Sequence, residues 1–210
     1  MASIMSHICI SNIVKDKLKL SDKFLAGSIL PDLKKIAGFD RSITHYLKYI
    51  VEDGTVMNLP DLDKFIEENT FKLLEFKTLG CYAHLIEDKI WFEKYITKYI
   101  KWHNDDLSVV TNLKTGKQYE FDTFSKEIYS DYINVNSTII KKYNLNVISI
   151  SKTIKDTLDD EAMINCFDKA LKQLNEKPLS NKRFFLTDND LENYITDSVN
   201  EVIKKINELR

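Results

Sequence analysis

The chain has 210 residues, with 30 Lys and Arg against 32 Asp and Glu, four His and a formal net charge of -2 at pH 7. The charges are spread along the chain without a basic block, so we expect neither a nucleic-acid partner nor an anionic membrane surface. Only 5 Gly and 3 Pro punctuate the sequence, and this favours helices over many short strands. The composition therefore predicts an all-α fold, in one domain over residues 1–210.

Residues 3–15 carry apolar side chains at helical spacing, and a second helical stretch begins near Ser21. Pro31 lacks an amide hydrogen and disfavours helix in the residue before it, so we expect the chain to break or restart there. The stretch ITHYLKYIVED, residues 43–53, is interpreted as a further helix that ends at Gly54. These features predict three helices in the first quarter of the chain.

A long apolar-periodic run extends from a helix start near Asn58 or Asp61, either of which could cap it, to about Trp102. Residues 107–122 predict a loop or short hairpin around Thr115-Gly116. Helices are predicted again in three later segments, which are TFSKEIYSDYINVNSTIIKKY, DDEAMINCFDKALKQLNE and DNDLENYITDSVNEVIKKINELR.

The three cysteines, Cys9, Cys81 and Cys166, are odd in number and far apart, so they predict no disulfide framework. The N-terminal segment has no basic start and too short an apolar run for a signal peptide, and no run of about 18 apolar residues could span a membrane. We therefore expect a cytoplasmic protein without integral membrane association.

The segment GCYAHLIEDKIW, residues 80–91, places His84 and Asp88 four residues apart in an otherwise apolar stretch. On a continuous helix the pair shares a face with Phe92, Tyr95 and Tyr99, whereas Glu87 lies on a solvated arc with three lysines. A carboxylate on a buried face is costly unless it is paired or binds a metal. An isolated pair of this kind is more often a hydrogen-bonded structural pair, because zinc needs about three or four ligands.

Four short segments resemble, in their order along the chain, those of the zinc-dependent phospholipase C family and its single-strand nuclease relatives. They are SHICISN with His7, LAGSILPDL with Asp32, ITHYL with His45, and GCYAHLIEDKIW with His84 and Asp88. The resemblance covers about the first half of the chain directly. It implies a single-domain helical bundle of that type, in which Asp32, His45, His84 and Asp88 bind one metal. Asp88 would bridge to a second metal, which His7 would bind.

The sequence also departs from that family. Met1 stands where the secreted enzymes supply an N-terminal tryptophan, Lys94 stands where they have a further histidine, and their later HxxxE pair has no counterpart. The histidine that follows Asp88 is His103, which we expect at the end of the long helix beside exposed carbonyls. These departures imply that one of three metal positions is lost. Cys81 lies one turn before His84, but a buried thiol outside the metal site is the favoured interpretation.

The resemblance implies a metal-dependent phosphoester hydrolase with one or two zinc ions, although iron and manganese also accept these donors. Its partner would be a phosphoester small molecule or a phospholipid head group. Two carboxylates are candidate catalytic groups. The turn at Pro31 would aim Asp32 at the metals. Asp131, later in the chain, is a further metal ligand or a general base, if it is not simply a hydrogen-bonded aspartate. The alternative is a non-catalytic scaffold or binding protein with a structural metal or none.

Overall fold

The computed structural model describes residues 3–52, 55–103, 107–174 and 176–210, most of which are helical. The described helices are α1 Ile4–Leu18, α2 Lys23–Ile36, α3 Arg41–Thr44, α4 Leu62–Asn69, α5 Phe76–Ile90, α6 Phe121–Lys142, α7 Val147–Thr157, α8 Glu161–Gln173 and α9 Asp188–Leu209. The described strands are β1 Leu47–Glu52, β2 Thr55–Pro60, β3 Ile100–Trp102, β4 Val109–Asn112 and β5 Gln118–Glu120. The expected helical character is confirmed, but the fold is not all-α, because two small antiparallel sheets are present.

Helix α2 runs through Pro31 without a break, so the predicted interruption is wrong. Proline removes one backbone hydrogen bond from a helix interior and crowds the preceding turn. Here α2 is nevertheless held on both sides, because its apolar face packs against α5 and α8 and buries Phe24, Ile29 and Leu33 completely. Tertiary packing therefore outweighs the local preference against helix.

The helix predicted over residues 43–53 is also wrong, because α3 ends at Thr44 and β1 begins at Leu47. Tyr46 lies between them with a positive φ of 51°, which ends the helix. The following β-branched and aromatic residues favour a strand, and β1 pairs with β2 in an antiparallel hairpin. Gly54, which we expected to end the helix, lies outside the described residues.

The long helix ends at Ile90 and not near Trp102. A π-helical segment, Trp91–Tyr95, and a short 3₁₀ segment, Ile96–Lys98, connect it to β3. This strand pairs with β4, and β4 with β5, so the predicted hairpin around Gly116 is confirmed and gains a third strand. Gly116 has the positive φ of 71° that the turn requires.

Helices α2 and α5 cross in very close contact, and this crossing sets the positions of the central side chains. A Cβ atom on Gly80 would lie 2.2 Å from the carbonyl oxygen of Phe24, and one on Gly27 would lie 2.0 Å from that of Lys77. Only glycine therefore fits at either position. Helix α1 packs against α2 and α9, and α9 also covers α5, so residues on α1, α2 and α5 that face inwards meet in the interior.

The three cysteines are free thiols, as expected. Cys9 and Cys166 are buried, whereas Cys81, which we expected to be buried, is only partly buried. No helix among the described residues is long and apolar enough to cross a lipid bilayer.

Candidate metal centre

The structure brings all five predicted metal ligands together. His7 lies on α1, Asp32 on α2, His45 directly after α3, and His84 and Asp88 on α5. The three imidazoles and Asp88 are fully buried, and Asp32 is 6% exposed. Residues that are up to 81 positions apart in the chain thus form one polar cluster inside an otherwise apolar core.

Asp88 lies at the centre of this cluster, and its two oxygens face different histidines. Its Oδ1 is 3.5 Å from Nε2 of His7, whereas its Oδ2 is 3.9 Å from Nε2 of His45 and 3.9 Å from Nε2 of His84. Nε2 of His45 is also 3.2 Å from Oδ1 of Asp32. The carboxylate of Asp88 therefore lies between the three imidazoles.

Each of the three histidines has a hydrogen-bonding partner at Nδ1, on the side of the ring away from Asp88. Nδ1 of His7 is 2.5 Å from Oε2 of Glu87, and Nδ1 of His84 is 2.8 Å from the carbonyl oxygen of Ser28. Nδ1 of His45 is 2.8 Å from Oγ1 of Thr44. A carbonyl oxygen can only accept, so His84 must donate from Nδ1, and its neutral ring keeps a lone pair on Nε2. Metal-binding histidines commonly have an outer partner of this kind.

The close crossing of α2 and α5 explains how His84 reaches its partner. Gly80 lies one turn before His84, and Gly27 directly precedes Ser28. Because neither glycine has a Cβ atom, the two backbones approach until the imidazole of His84 meets a main-chain carbonyl of α2. The i, i+4 spacing on α5 then places Asp88 on the same side as His84.

Burial and charge act in opposite directions on these groups. Burial disfavours the imidazolium of His7, but the close carboxylate of Asp88, the hydrogen bond to Glu87 and the negative charges of both outweigh it and raise the pKa of His7 to about 10. Burial and the positive charge of His7 lower the pKa of His84 to about 3. Burial would raise the pKa of Asp32, yet the hydrogen bond from His45 and the charges of the histidines hold it below its usual range. Without a metal, the cluster therefore carries a proton on His7 and a neutral ring on His84.

The donor atoms suit a divalent transition metal. Two groups of three residues have ligand atoms that all lie within 4.8 Å of one another, His7 with Asp32 and His84, and His45 with His84 and Asp88. Nε2 of His7 and Nε2 of His84 are buried without a hydrogen-bond partner among the described residues. Nitrogen and oxygen donors of this kind bind zinc, and also iron or manganese. The assignment of the five residues as ligands stays a prediction that this geometry fits.

The expected solvent exposure of Glu87 is wrong, since its side chain is fully buried. Besides His7, its carboxylate accepts a hydrogen bond of 3.3 Å from Oγ of Ser11. The prediction assumed a continuous helix with one arc exposed to solvent. In the structure α9 packs against α5, and the hydroxyl of Tyr194 on α9 donates to the backbone oxygen of Glu87 at 3.4 Å. Phe92, Tyr95 and Tyr99 follow the end of α5, so the aromatic face predicted for them does not continue that of His84.

Asp131 has a different environment. Its Oδ1 accepts a hydrogen bond of 2.8 Å from the backbone N–H of Phe184, and its Oδ2 accepts from Phe185 at 2.8 Å and Leu186 at 2.9 Å. It is not part of either candidate metal-binding group among the described residues. The structure therefore favours the hydrogen-bonded aspartate that the sequence left as the alternative to a general base.

His103 also lies apart from the cluster. It follows β3, where its Nε2 is 2.5 Å from Oγ1 of Thr111, and it does not cap the long helix as we expected. Cys81 is in neither metal-binding group among the described residues.

Arg41 is a further residue that the sequence did not single out. Its Nη2 lies 3.8 Å from Oδ2 of Asp88, and its guanidinium carbon lies 5.6 Å from the ring centroid of Phe92. An arginine at the start of a four-residue helix gives no signal by spacing, because its approach to Asp88 depends on the fold.

No family model, curated protein or solved structure matches this chain.

Proposed function

We propose that this protein is a metal-dependent phosphoester hydrolase, with zinc as the preferred metal, similar to the zinc-dependent phospholipase C family. The observation that supports the proposal is the common orientation of three buried histidines. Each has its Nδ1 next to an outer partner, and each Nε2 faces Asp32 or Asp88. Iron or manganese would fit the same donors.

Asp32, His45, His84 and Asp88 would hold the main ion, and Oδ1 of Asp88 with His7 would contribute to a second. An ion held there would polarise a phosphate oxygen and lower the pKa of a bound water molecule. The outer partners Glu87, Ser28 and Thr44 would keep the imidazoles in the required orientation. The protein's own contribution is thus a fixed, water-poor set of donors.

A cavity of about 420 Å³ reaches this cluster, because Asp32 lines it together with Lys35 and Tyr129. The positive charge of Lys35 on the cavity wall would favour the entry of an anionic phosphoester. The accessible side of Asp32 therefore supports a catalytic role for the site.

The burial of the ligands favours one alternative, a structural metal in a scaffold or binding protein. Structural zinc sites have a closed ligand shell, whereas catalytic sites keep one position open. Four described residues, Asp32, His45, His84 and Asp88, are enough to close a tetrahedral shell. The two functions therefore differ in whether the bound ion accepts a further ligand.

Elemental analysis of the full chain, purified without chelator, tests the proposal beside His84→Ala and His45→Ala. His103→Ala is the matched control, since it removes the remaining histidine outside the cluster. We expect one or two zinc ions per chain, lost in both cluster variants and kept in the control. Hydrolysis of 4-nitrophenyl phosphate or of bis(4-nitrophenyl) phosphate should follow the metal content. A folded chain that stays free of metal after supplementation with zinc would contradict the proposal, and a zinc-loaded chain that hydrolyses neither ester would favour the scaffold.

A further inference from the structure

A second and larger cavity, of about 620 Å³, lies beside the cluster on the side of Arg41. Its volume is typical of pockets that bind small molecules. Large aromatic side chains make up much of its wall, among them Trp91, Phe92, Trp102 and Phe124. Glu120 and Asp122 line it as well, and Lys35 lines both this cavity and the one beside Asp32. The cavity is therefore mostly apolar, with charged groups at defined places.

Arg41 is the group that joins this cavity to the cluster. It lines the cavity, and its Nη2 lies 3.8 Å from Oδ2 of Asp88. Its Nε and Nη2 are buried, and neither donates a hydrogen bond to any described residue. The ring of Phe92 holds the guanidinium from one side, at 5.6 Å. A guanidinium with unused donors next to a metal site is suited to bind the oxygens of a phosphate or carboxylate.

Charge decides which phosphoester fits best. A phosphodiester carries one negative charge near neutral pH, whereas a phosphomonoester carries about two and has three equivalent terminal oxygens. Asp32, Asp88 and Glu87 offset much of the charge of bound cations, and Arg41 adds a fixed positive charge beside them. The extra charge and the donor fork of Arg41 favour the dianionic group.

We propose that Arg41 makes the site selective for phosphomonoesters, and that the aromatic cavity binds the bulky apolar group of the ester. This inference rests on the proposed hydrolase function and names the substrate class for it. The ester bond to the apolar alcohol or phenol is hydrolysed by water, which gives the free alcohol and inorganic phosphate. Trp102 on the cavity wall also offers a hydrogen-bond donor to the ligand. Its indole N–H is buried without an acceptor among the described residues and is available to a polar atom of the ligand.

Titration of the zinc-loaded full chain with inorganic phosphate tests the role of Arg41 without relying on turnover. Arg41→Met should bind phosphate about 10- to 100-fold more weakly, because charge-assisted hydrogen bonds are lost. Arg41→Lys, which keeps the charge but loses the planar fork, should lie between. Arg183→Met is the matched control: Arg183 pairs with the exposed Asp188 at 2.7 Å and is not among the residues that line the cavity. It should bind phosphate within about twofold of the parent protein.

Kinetics then test the selectivity. For Arg41→Met, kcat/KM should fall at least about tenfold more for 4-nitrophenyl phosphate than for bis(4-nitrophenyl) phosphate. Equal losses on both esters, or unchanged phosphate binding in a zinc-loaded Arg41→Met, would overturn this inference and leave the hydrolase proposal intact. A chain that binds no metal would overturn both.

Three phosphonates with the same head group test the cavity. Methylphosphonate should bind at least about tenfold more weakly than (1-naphthyl)methylphosphonate, because the larger ligand buries more apolar surface. Octylphosphonate tests whether the apolar group of the substrate is an alkyl chain or an aromatic ring. Tighter binding of the octyl compound would assign the cavity to an alkyl chain, and tighter binding of the naphthyl compound to a ring. Equal binding of all three would refute the role given to the cavity.

Discussion

Substitution of Glu87 by Gln tests whether the outer partners of the histidines tune metal binding. Glu87 is fully buried and its Oε2 lies 2.5 Å from Nδ1 of His7. Gln keeps the size of the side chain and one acceptor oxygen, so the ring of His7 can keep its orientation. The variant loses the negative charge that makes the imidazole a stronger donor to a metal, and it replaces the oxygen that accepts from Oγ of Ser11 at 3.3 Å by an amide NH2 group.

The expected loss of metal affinity follows from the changed contact between Glu87 and His7. Replacement of an outer partner typically lowers metal affinity by about 10- to 100-fold, which corresponds to about 1.4–2.8 kcal/mol. We expect Glu87→Gln to fall in this range for the ion that His7 binds, and the same substitution to have no further effect in a His7→Ala background. Non-additivity is the signature of two residues that act through one contact.

Competition with a chromophoric zinc chelator measures the affinity, and circular dichroism checks the fold of each variant. Glu93→Gln is the matched control, because Glu93 is a partly exposed carboxylate that pairs with Lys89 at 3.1 Å. It should change zinc affinity less than twofold. A folded Glu87→Gln variant with the zinc affinity of the parent protein would refute the reasoning, and so would equal losses in the presence and absence of His7.

Three further outcomes are expected. Asp131→Asn should lower the free energy of unfolding, measured in urea, by about 2–3 kcal/mol, because a charged acceptor of three backbone amides is lost. The zinc content should stay unchanged, and a loss of zinc would indicate that Asp131 belongs to the metal site. Gly80→Ala should cost at least about 1–3 kcal/mol and also weaken zinc binding, since a Cβ there meets the Phe24 oxygen; unchanged stability would contradict the close crossing. Burial opposes ionisation of Asp190, but hydrogen bonds, first from Lys98, lower its pKa. The ionised Asp190 therefore stabilises the folded protein fully above the unfolded pKa of about 3.9, and this stabilisation is lost as the pH falls through the pKa in the folded protein. Asp190→Asn should therefore cost about 1 kcal/mol at pH 7 and less below about pH 4, whereas a cost independent of pH would refute this assignment.

The sequence predicted the cluster well because its members lie in short segments with readable spacing. The pair His84 and Asp88 needs only one helical turn, and α5 is regular over that turn. His7, Asp32 and His45 were found by resemblance to short motifs, which local sequence can show. The packing partners could not be found in this way, since Glu87 meets His7 across 80 residues and Arg41 meets Asp88 across 47.

The errors in the predicted elements have a common physical origin. Pro31 argues for a break and residues 43–53 contain helical spacing, but both signals are local. Burial of α2 between α5 and α8 overrides the first, and the left-handed residue Tyr46 with the pairing of β1 to β2 overrides the second. The dipeptide Asp53-Gly54 stands between the two strands in the sequence, and Asp-Gly is typical of the loop of a β-hairpin.

The hydrogen bonds of the histidines bear most directly on the choice between a structural pair and a metal site. A buried histidine that serves the fold alone is expected to satisfy both ring nitrogens, because a buried polar atom without a partner costs about 1–3 kcal/mol. His7 and His84 each satisfy Nδ1, and each leaves Nε2 without a hydrogen-bond partner among the described residues. Both of these atoms face Asp88, at 3.5 and 3.9 Å, and neither makes a hydrogen bond to it. Two cations, one bound by His84 and one by His7, would offset the cost of both atoms, and that gain is the physical reason to prefer a metal centre.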